Sequence, residues 1–490
     1  MKKVLVFLSL LICLIMTGYG QFKRHYWLNP MSVNYTLSYP TSNGEWMQAA
    51  ARQDRNSLFK NTIAVFRMDN SYATLDSRII GLPWSGGEEQ FDPYVDFEIH
   101  CIVETQTPTG HYIICGSIRR SADMQTIGMV VVLDAALNPQ DIREYPTVRN
   151  FYSVYAQGNY YYVCGQTQDG HGIVLRDDVL NFHPSAVSYV TTIPWDYQKI
   201  KQRFDIGSNI ISVSGTGFSE DEDEDEDEDE VEVEVEELGY TAFNVTATNF
   251  SPLMGTIGAI ASWKFPPVNH AIGSKVVISN YPGTAGQGVI LSVSDAVGIY
   301  TYLFNIHGSL LIAFKVPCQG EVLQDMECTQ QPNQKIAWVG NFPQRTAYFA
   351  TMDLPLPSPN YPYNPTPIPT GTSVRFLEFH PVPVADNAYY SLHKVHFNRP
   401  IYGGDGELHA GGYYNHSDGN KTTFAVTPEL VIEEECTTER EEKTVRFNQP
   451  HIKPLNLMNR EVEVIKHTSF SKKYTFCTMD CIGENDCGNR

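Results

Sequence analysis
Short apolar runs rich in β-branched and aromatic residues recur along the chain, and most end at Gly, Pro, Asn or Asp. That rhythm predicts β-strands joined by turns, since long amphipathic helical patterns are hard to find. One pattern occurs twice in closely similar form. Tyr-Ile-Ile-Cys-Gly-Ser (112–117) precedes Met-Val-Val-Val-Leu-Asp-Ala-Ala-Leu-Asn (129–138), and Tyr-Tyr-Val-Cys-Gly-Gln (161–166) precedes Gly-Ile-Val-Leu-Arg-Asp-Asp-Val-Leu-Asn (172–181). Gly116 and Gly165 lie 49 residues apart. A repeat of this length in a strand-rich chain predicts four-stranded units arranged radially, the blades of a β-propeller.

The second half of the pattern is a strand followed by a turn that Asp or Asn side chains can close. It recurs at 61–70, 129–138, 172–181, 240–249, 288–297, 347–353 and 422–430. A preceding partner strand is found at 112–117, 161–166, 210–215, 275–280, 335–341 and 406–412. The marker thus occurs seven times and its partner six, so one partner must come from the N-terminal segment or the tail. The expected fold is an all-β propeller over 61–435, with seven blades as first choice and six as second. Strands from the two chain ends close the ring and remove its open edges, with 445–448 as one candidate. Residues 21–60 and 436–490 are expected as irregular extensions, the second rich in cysteine.

Two interruptions break the rhythm. Residues 220–237 hold fifteen acidic groups and no basic one, within a loop at 219–237. Like charges repel, so this run reads as solvated and disordered. It also accounts for most of the formal charge of −21; what remains is ordinary for a soluble domain, and no basic face offers itself to nucleic acid. A proline-rich stretch at 354–370 cannot be a central strand and reads as an extended strap between blades.

Residues 1–20 read as a secretory signal: Lys2 and Lys3, an apolar core, then Gly18 and Gly20 before a cut at Gln21. The protein is therefore expected to be secreted, periplasmic or on the cell surface, and not to span a membrane. In such a compartment disulfides are allowed. Cys101 and Cys115 flank the turn 107–110 and fall opposite or nearly opposite; Cys318 and Cys328 form a second local pair; Cys477, Cys481 and Cys487 cluster late. Buried free thiols are the alternative. The C-x3-C-x5-C spacing of the tail is not that of a zinc site, and no metal or cofactor is expected.

No nucleophile elbow, phosphate loop, zinc-protease motif or dinucleotide fingerprint is present. Glu98, Asp205 and Glu378 are placed on candidate inner strands facing the channel. Loop aromatics are more suggestive of binding: Tyr281, Phe342, Tyr413 and Tyr414, with Asp169, His171 and Arg345, are candidates to gather on one face, where rings and a few polar groups suit sugars or peptides.

The pattern of an aromatic or aliphatic run, Cys-Gly, and a later Leu-Asp-x-x-Leu-Asn resembles the repeat of secreted β-propellers common in Bacteroidota, most strongly over 98–181. That resemblance implies an exported blade repeat used for binding and display, and transfers no catalytic residues. The leading expectation is a non-enzymatic propeller that binds an unidentified protein or glycan. The alternatives are a polysaccharide-active hydrolase or lyase with carboxylates at the channel mouth, and a structural cell-surface component.

Overall fold
The computed structural model describes residues 24–27, 32–53, 61–69, 74–81, 94–120, 123–202, 209–220, 234–246, 249–253, 259–263, 277–281, 288–295, 297–304, 310–318, 320–329, 335–342, 346–353, 371–380, 388–398, 407–415, 421–426, 437–446, 451–453, 455–467, 470–473 and 477–479. These residues are all-β and arranged as a propeller. β1 (Arg24–Trp27) leaves the next strands alone and joins the last sheet. β2 (Ser32–Pro40), β3 (Trp46–Gln53), β4 (Asn61–Met68) and β5 (Thr74–Gly81) form an antiparallel meander. β6 (Tyr94–Glu104), β7 (Tyr112–Arg120), β8 (Thr126–Leu133) and β9 (Pro139–Tyr145) form a second. β10 (Val148–Gln157), β11 (Tyr160–Thr167), β12 (His171–Asp178) and β13 (Ser185–Gln202) form a third.

β13 then continues without a loop. Its first half pairs with β12, and its 195–202 half pairs with β14 (Ile210–Glu220). β15 (Glu234–Val245), β16 (Phe250–Pro252) and β17 (Ala259–Trp263) extend that sheet. Pro194, which has no N–H to give to a ladder, marks the change of partner. β18 (Val277–Tyr281), β19 (Gly288–Asp295), β20 (Gly298–Phe304) and β21 (Leu310–Pro317) make the next meander. β22 (Val322–Cys328), β23 (Lys335–Asn341), β24 (Ala347–Asp353) and β25 (Ser373–Phe379) follow. β26 (Tyr389–Asn398), β27 (Glu407–Asn415) and β28 (Lys421–Val426) come last, and β1 pairs with β28 as the fourth strand of that sheet.

The tail returns past every sheet in reverse order. β29 (Thr437–Lys443) pairs with β25, β30 (Val445–Arg446) with β21, and β31 (His451–Lys453) with β17. β32 (Leu457–Glu463) pairs with the first half of β13, β33 (Ile465–His467) with β9, β34 (Phe470–Lys473) with β5, and β35 (Cys477–Met479) with β1. Each added strand lies on the outer edge. At the other edge the first strands touch in sequence: β2 meets β6, β6 meets β10, β10 meets β13, β13 meets β18, β18 meets β22, β22 meets β26, and β26 meets β2. The cycle closes on itself.

Apolar side chains fill the spaces between neighbouring sheets. Val130 and Val132 of the second sheet pack with Phe151, Val163 and Ile173 of the third. Val339 and Phe349 pack with Leu392 and Leu408 of the last sheet. Each such side chain contributes about 1.5–3 kcal/mol on burial, and sheets apolar on both faces stack only if each covers the next. The expected turn chemistry is also present. Asp134 Oδ1 accepts from the backbone N–H of Ala136 (2.9 Å) and Asn138 (2.8 Å). Asp178, not the neighbouring Asp177, does the same for Leu180 (2.9 Å) and Asn181 (2.8 Å).

Several expectations are corrected. The two extensions are not irregular: 21–60 supplies β1, β2 and β3, and the tail supplies the outer strands from β29 to β35. As expected, the N-terminal segment supplies the missing partner: it is β3, which pairs with β4. Closure comes from β1 on β28, whereas 445–446 forms an outer strand on β21. The marker at 288–297 is the second strand of its sheet, since β18 is the first. Glu378 lies on the fourth strand, β25, and Arg440 Nε binds it at 3.1 Å, so it does not face the channel. The signal segment, the proline strap, residues 221–233 of the acidic run, Asp205, Arg345, Cys481 and Cys487 lie outside the described residues.

The expected disulfides are replaced by free thiols at Cys101, Cys115, Cys318 and Cys328. Cys101 and Cys115 are indeed opposite each other, but their sulfurs turn to the next sheet. Cys101 Sγ lies 3.9 Å from the Val154 carbonyl, and Cys115 Sγ 3.9 Å from that of Phe151. Cys318 follows the end of β21, whereas Cys328 ends β22 in the next sheet. Cys477 is described through its backbone alone, in β35.

Candidate functional site
The repeated glycine explains where the chemistry sits. The ladder between first and second strands breaks at one place in sheet after sheet: between Ile99 and Cys101, Phe151 and Ser153, Tyr197 and Lys199, Leu323 and Asp325, and Leu392 and Lys394. One extra residue bulges there: His100, Tyr152, Gln198, Gln324 or His393. The bulge pushes a backbone carbonyl against the second strand. A Cβ on Gly116 would lie 1.8 Å from the Glu98 oxygen, and one on Gly165 1.8 Å from the Asn150 oxygen. Gly215, Gly340 and Gly412 meet the same obstacle. The Cys-Gly of the sequence repeat is thus the imprint of a bulge on the neighbouring inner strand.

The bulge resets the register, so equivalent positions follow it. Cys101, Ser153, Lys199, Asp325 and Lys394 come next; two residues on come Val103, Tyr155, Lys201, Glu327 and His396. Lys199 Nζ binds Asp325 Oδ1 at 2.5 Å, and Lys201 pairs with Glu327. β13 and β22 are not neighbours, because β18 stands between them in the cycle, so both ion pairs reach across the axial space. Val395 N–H donates to Asp325 Oδ2 at 3.2 Å, which ties β26 to the same carboxylate. Tyr39 sets its ring edge-on to His396, with centroids 5.5 Å apart.

The titration behaviour follows from this crowding. Burial works to raise the Asp325 carboxyl, but Lys199, Lys394 and Lys201 outweigh it and hold the group well below the carboxylate range. Burial opposes the Lys201 charge, yet Glu327 and Asp325 push that ammonium up to about 12. Burial and then Lys201 drive the His396 imidazole well below its ordinary value, so it is neutral at physiological pH. Burial, followed by Glu104, raises the Tyr39 hydroxyl to about 12. The Cys115 and Cys164 thiols are pushed well up, by burial first and then by Cys101. Asp325 is therefore ionised and Lys201 charged on the axis, and the Cys115 and Cys164 thiols on the second strands are protonated.

No family model matches the chain, and no curated protein matches it. Among solved structures, it is similar to a mutant of the NanB sialidase from Streptococcus pneumoniae, with 9% identity and a TM-score of 0.39, over 82% of this chain and 69% of that one. A likeness at that level says nothing about what this chain binds.

The residues singled out in the sequence lie elsewhere. Asp169 sits in the β11–β12 turn, exposed, 3.5 Å from Arg460 of β32. His171 opens β12, and its Nδ1 lies 2.9 Å from the Thr191 carbonyl, which fastens β12 to β13. Tyr413 stacks on His393 at 5.2 Å, and the adjacent Tyr414 packs on Tyr390 at 4.7 Å, so the two tyrosines engage different residues of β26. Phe342 packs edge-on against Tyr348. Tyr281 ends β18, with only its backbone described. The structure brings Asp169 and His171 to one turn and Tyr413 and Tyr414 to another sheet.

Sequence reasoning missed the axial pairs. Their signal is an i, i+2 repeat: Lys199 and Lys201 on one inner strand, Asp325 and Glu327 on another, the same number of residues apart in each pair. A second charged cluster, around Arg143, is structural. That guanidinium is fully buried and bridges Asp141 (3.1 Å) on β9 and Asp177 (2.9 Å) on β12. It clamps the second sheet to the third.

Proposed function
We propose that the chain is an exported, non-enzymatic propeller of seven blades that binds a protein or glycan at the face carrying the loops between second and third strands. The closed cycle of inner strands supports seven blades, and the apolar segment at 1–20 with its lysine start supports export. One observation carries the non-enzymatic reading. Two described acids on inner strands, Asp325 and Glu327, are each bound to a lysine, and Asp325 is held ionised. Acid–base hydrolysis of a glycoside needs one carboxyl kept protonated as proton donor beside a second, ionised carboxylate. A carboxylate held ionised beside an ammonium supplies no proton.

The test is incubation of the full chain with a polysaccharide panel, read by new reducing ends, alongside binding to a glycan array and to immobilised surface proteins. Saturable binding with no product is expected. Product formation that disappears in Asp325→Asn would overturn the reading.

A further inference from the structure
We propose that the axial space beside Lys394 binds a small oxyanion, either free or as the charged group of a larger acidic ligand. This site is separate from the loop face and stands whether or not that face binds anything.

Three lysines follow the bulges on inner strands. Lys199 has Asp325, and Lys201 has Glu327. Lys394 is 9% exposed, and among the described residues it makes no hydrogen bond or ion pair. It contributes to the field that keeps Asp325 ionised, but that carboxylate is already engaged. Its Oδ1 is taken by Lys199 at 2.5 Å and its Oδ2 by the Val395 N–H at 3.2 Å. His396, two residues on, is kept neutral and adds no compensation.

Among the described residues, three lysines stand against two carboxylates over two successive positions of the inner strands. Buried charges are normally paired, because a lone ion away from water loses several kcal/mol of hydration. Among the described residues the lysines exceed the carboxylates by one. The surplus lysine matches a carboxylate, a sulfate ester or a singly charged phosphate, whose oxygens accept from an ammonium at charge-assisted strength. Asp325 and Glu327 sit beside the site and exclude ligands that bring a cation.

The measurement is calorimetric titration of the full chain with sodium acetate and with sodium sulfate in chloride-free buffer. Wild type is expected to bind one equivalent saturably. Lys394→Met is expected to bind at least about tenfold more weakly, and the exposed Lys443→Met to bind as wild type does. No saturable binding by wild type, or equal binding by Lys394→Met, would sink the proposal. Should Lys394→Met not fold, crystals of the wild type soaked in selenate read the same site. An anomalous peak within hydrogen-bond reach of Lys394 Nζ supports it, and a map without that peak overturns it.

Discussion

The bulge glycines and the axial pairs are the residues on which the arrangement turns. Gly116→Ala places a Cβ 1.8 Å from the Glu98 carbonyl. Backbone cannot yield as a flexible side chain does, so a loss of about 2–4 kcal/mol is expected by chemical denaturation. Gly44→Ala, whose Cβ meets nothing within 4 Å although its φ is +83°, should cost only about 1 kcal/mol. Equal losses at the two positions would refute the bulge account. Replacing one partner of the Lys199–Asp325 pair strands the other charge and should cost about 3–5 kcal/mol, whereas Lys199→Met with Asp325→Leu should recover most of that. A double-mutant cycle without coupling would show that the two strands do not face each other. His396 gives a pH test. Its folded pKa lies below the unfolded value of about 6.5, so below that pH the unfolded chain binds more protons and stability falls as pH drops. His396→Gln should flatten that fall between about pH 6.5 and 5; an unchanged slope would place the proton uptake elsewhere. At this scale the sequence was half legible. Gly116 and Gly165 declared themselves by recurrence, but the carbonyls that require them belong to a strand with no recurring sequence.

Among the elements, the outer strands carry the clearest consequence. Removing 437–490 exposes the edges of β25, β21, β17, the first half of β13, β9, β5 and β1. Bare edges pair with other chains, so the truncated protein should self-associate in light scattering, and a monodisperse product with an unchanged Tm would count against the role given to the tail. The second and third strands were readable from sequence because they are apolar on both faces and sit in the middle of each sheet. The first strands, β18 apart, were not: a bulge interrupts their alternation, and Lys199, Asp325 and Lys394 give them a polar look. The outer strands were hidden for another reason. β29 reads Thr-Thr-Glu-Arg-Glu-Glu-Lys, which has no apolar face, and it is held by backbone pairing and by ion pairs such as Arg375 with Glu439. Such a strand exists only because an edge is waiting for it.

For the whole molecule, one physical idea unites these parts: sheets apolar on both sides are stable when each covers the next and the last covers the first. The inner strands meet in a closed cycle, and the two chain ends both contribute to the final sheet through β1 and β35. Sequence showed the repeat and called for closure by the chain ends but not for the strand that closes it, because that strand is β1, four residues whose pairing partner lies at the far end of the chain. The most direct measurement is covalent capture of that pair. His25 and Phe424 are partners across β1 and β28. With both replaced by cysteine and the chain mildly oxidised, peptide mapping should recover a linked peptide containing positions 25 and 424. The bond should form in the folded protein and fail to form once the chain is unfolded in denaturant. Absence of that linked peptide from the folded protein, with both thiols free, would contradict the closed ring.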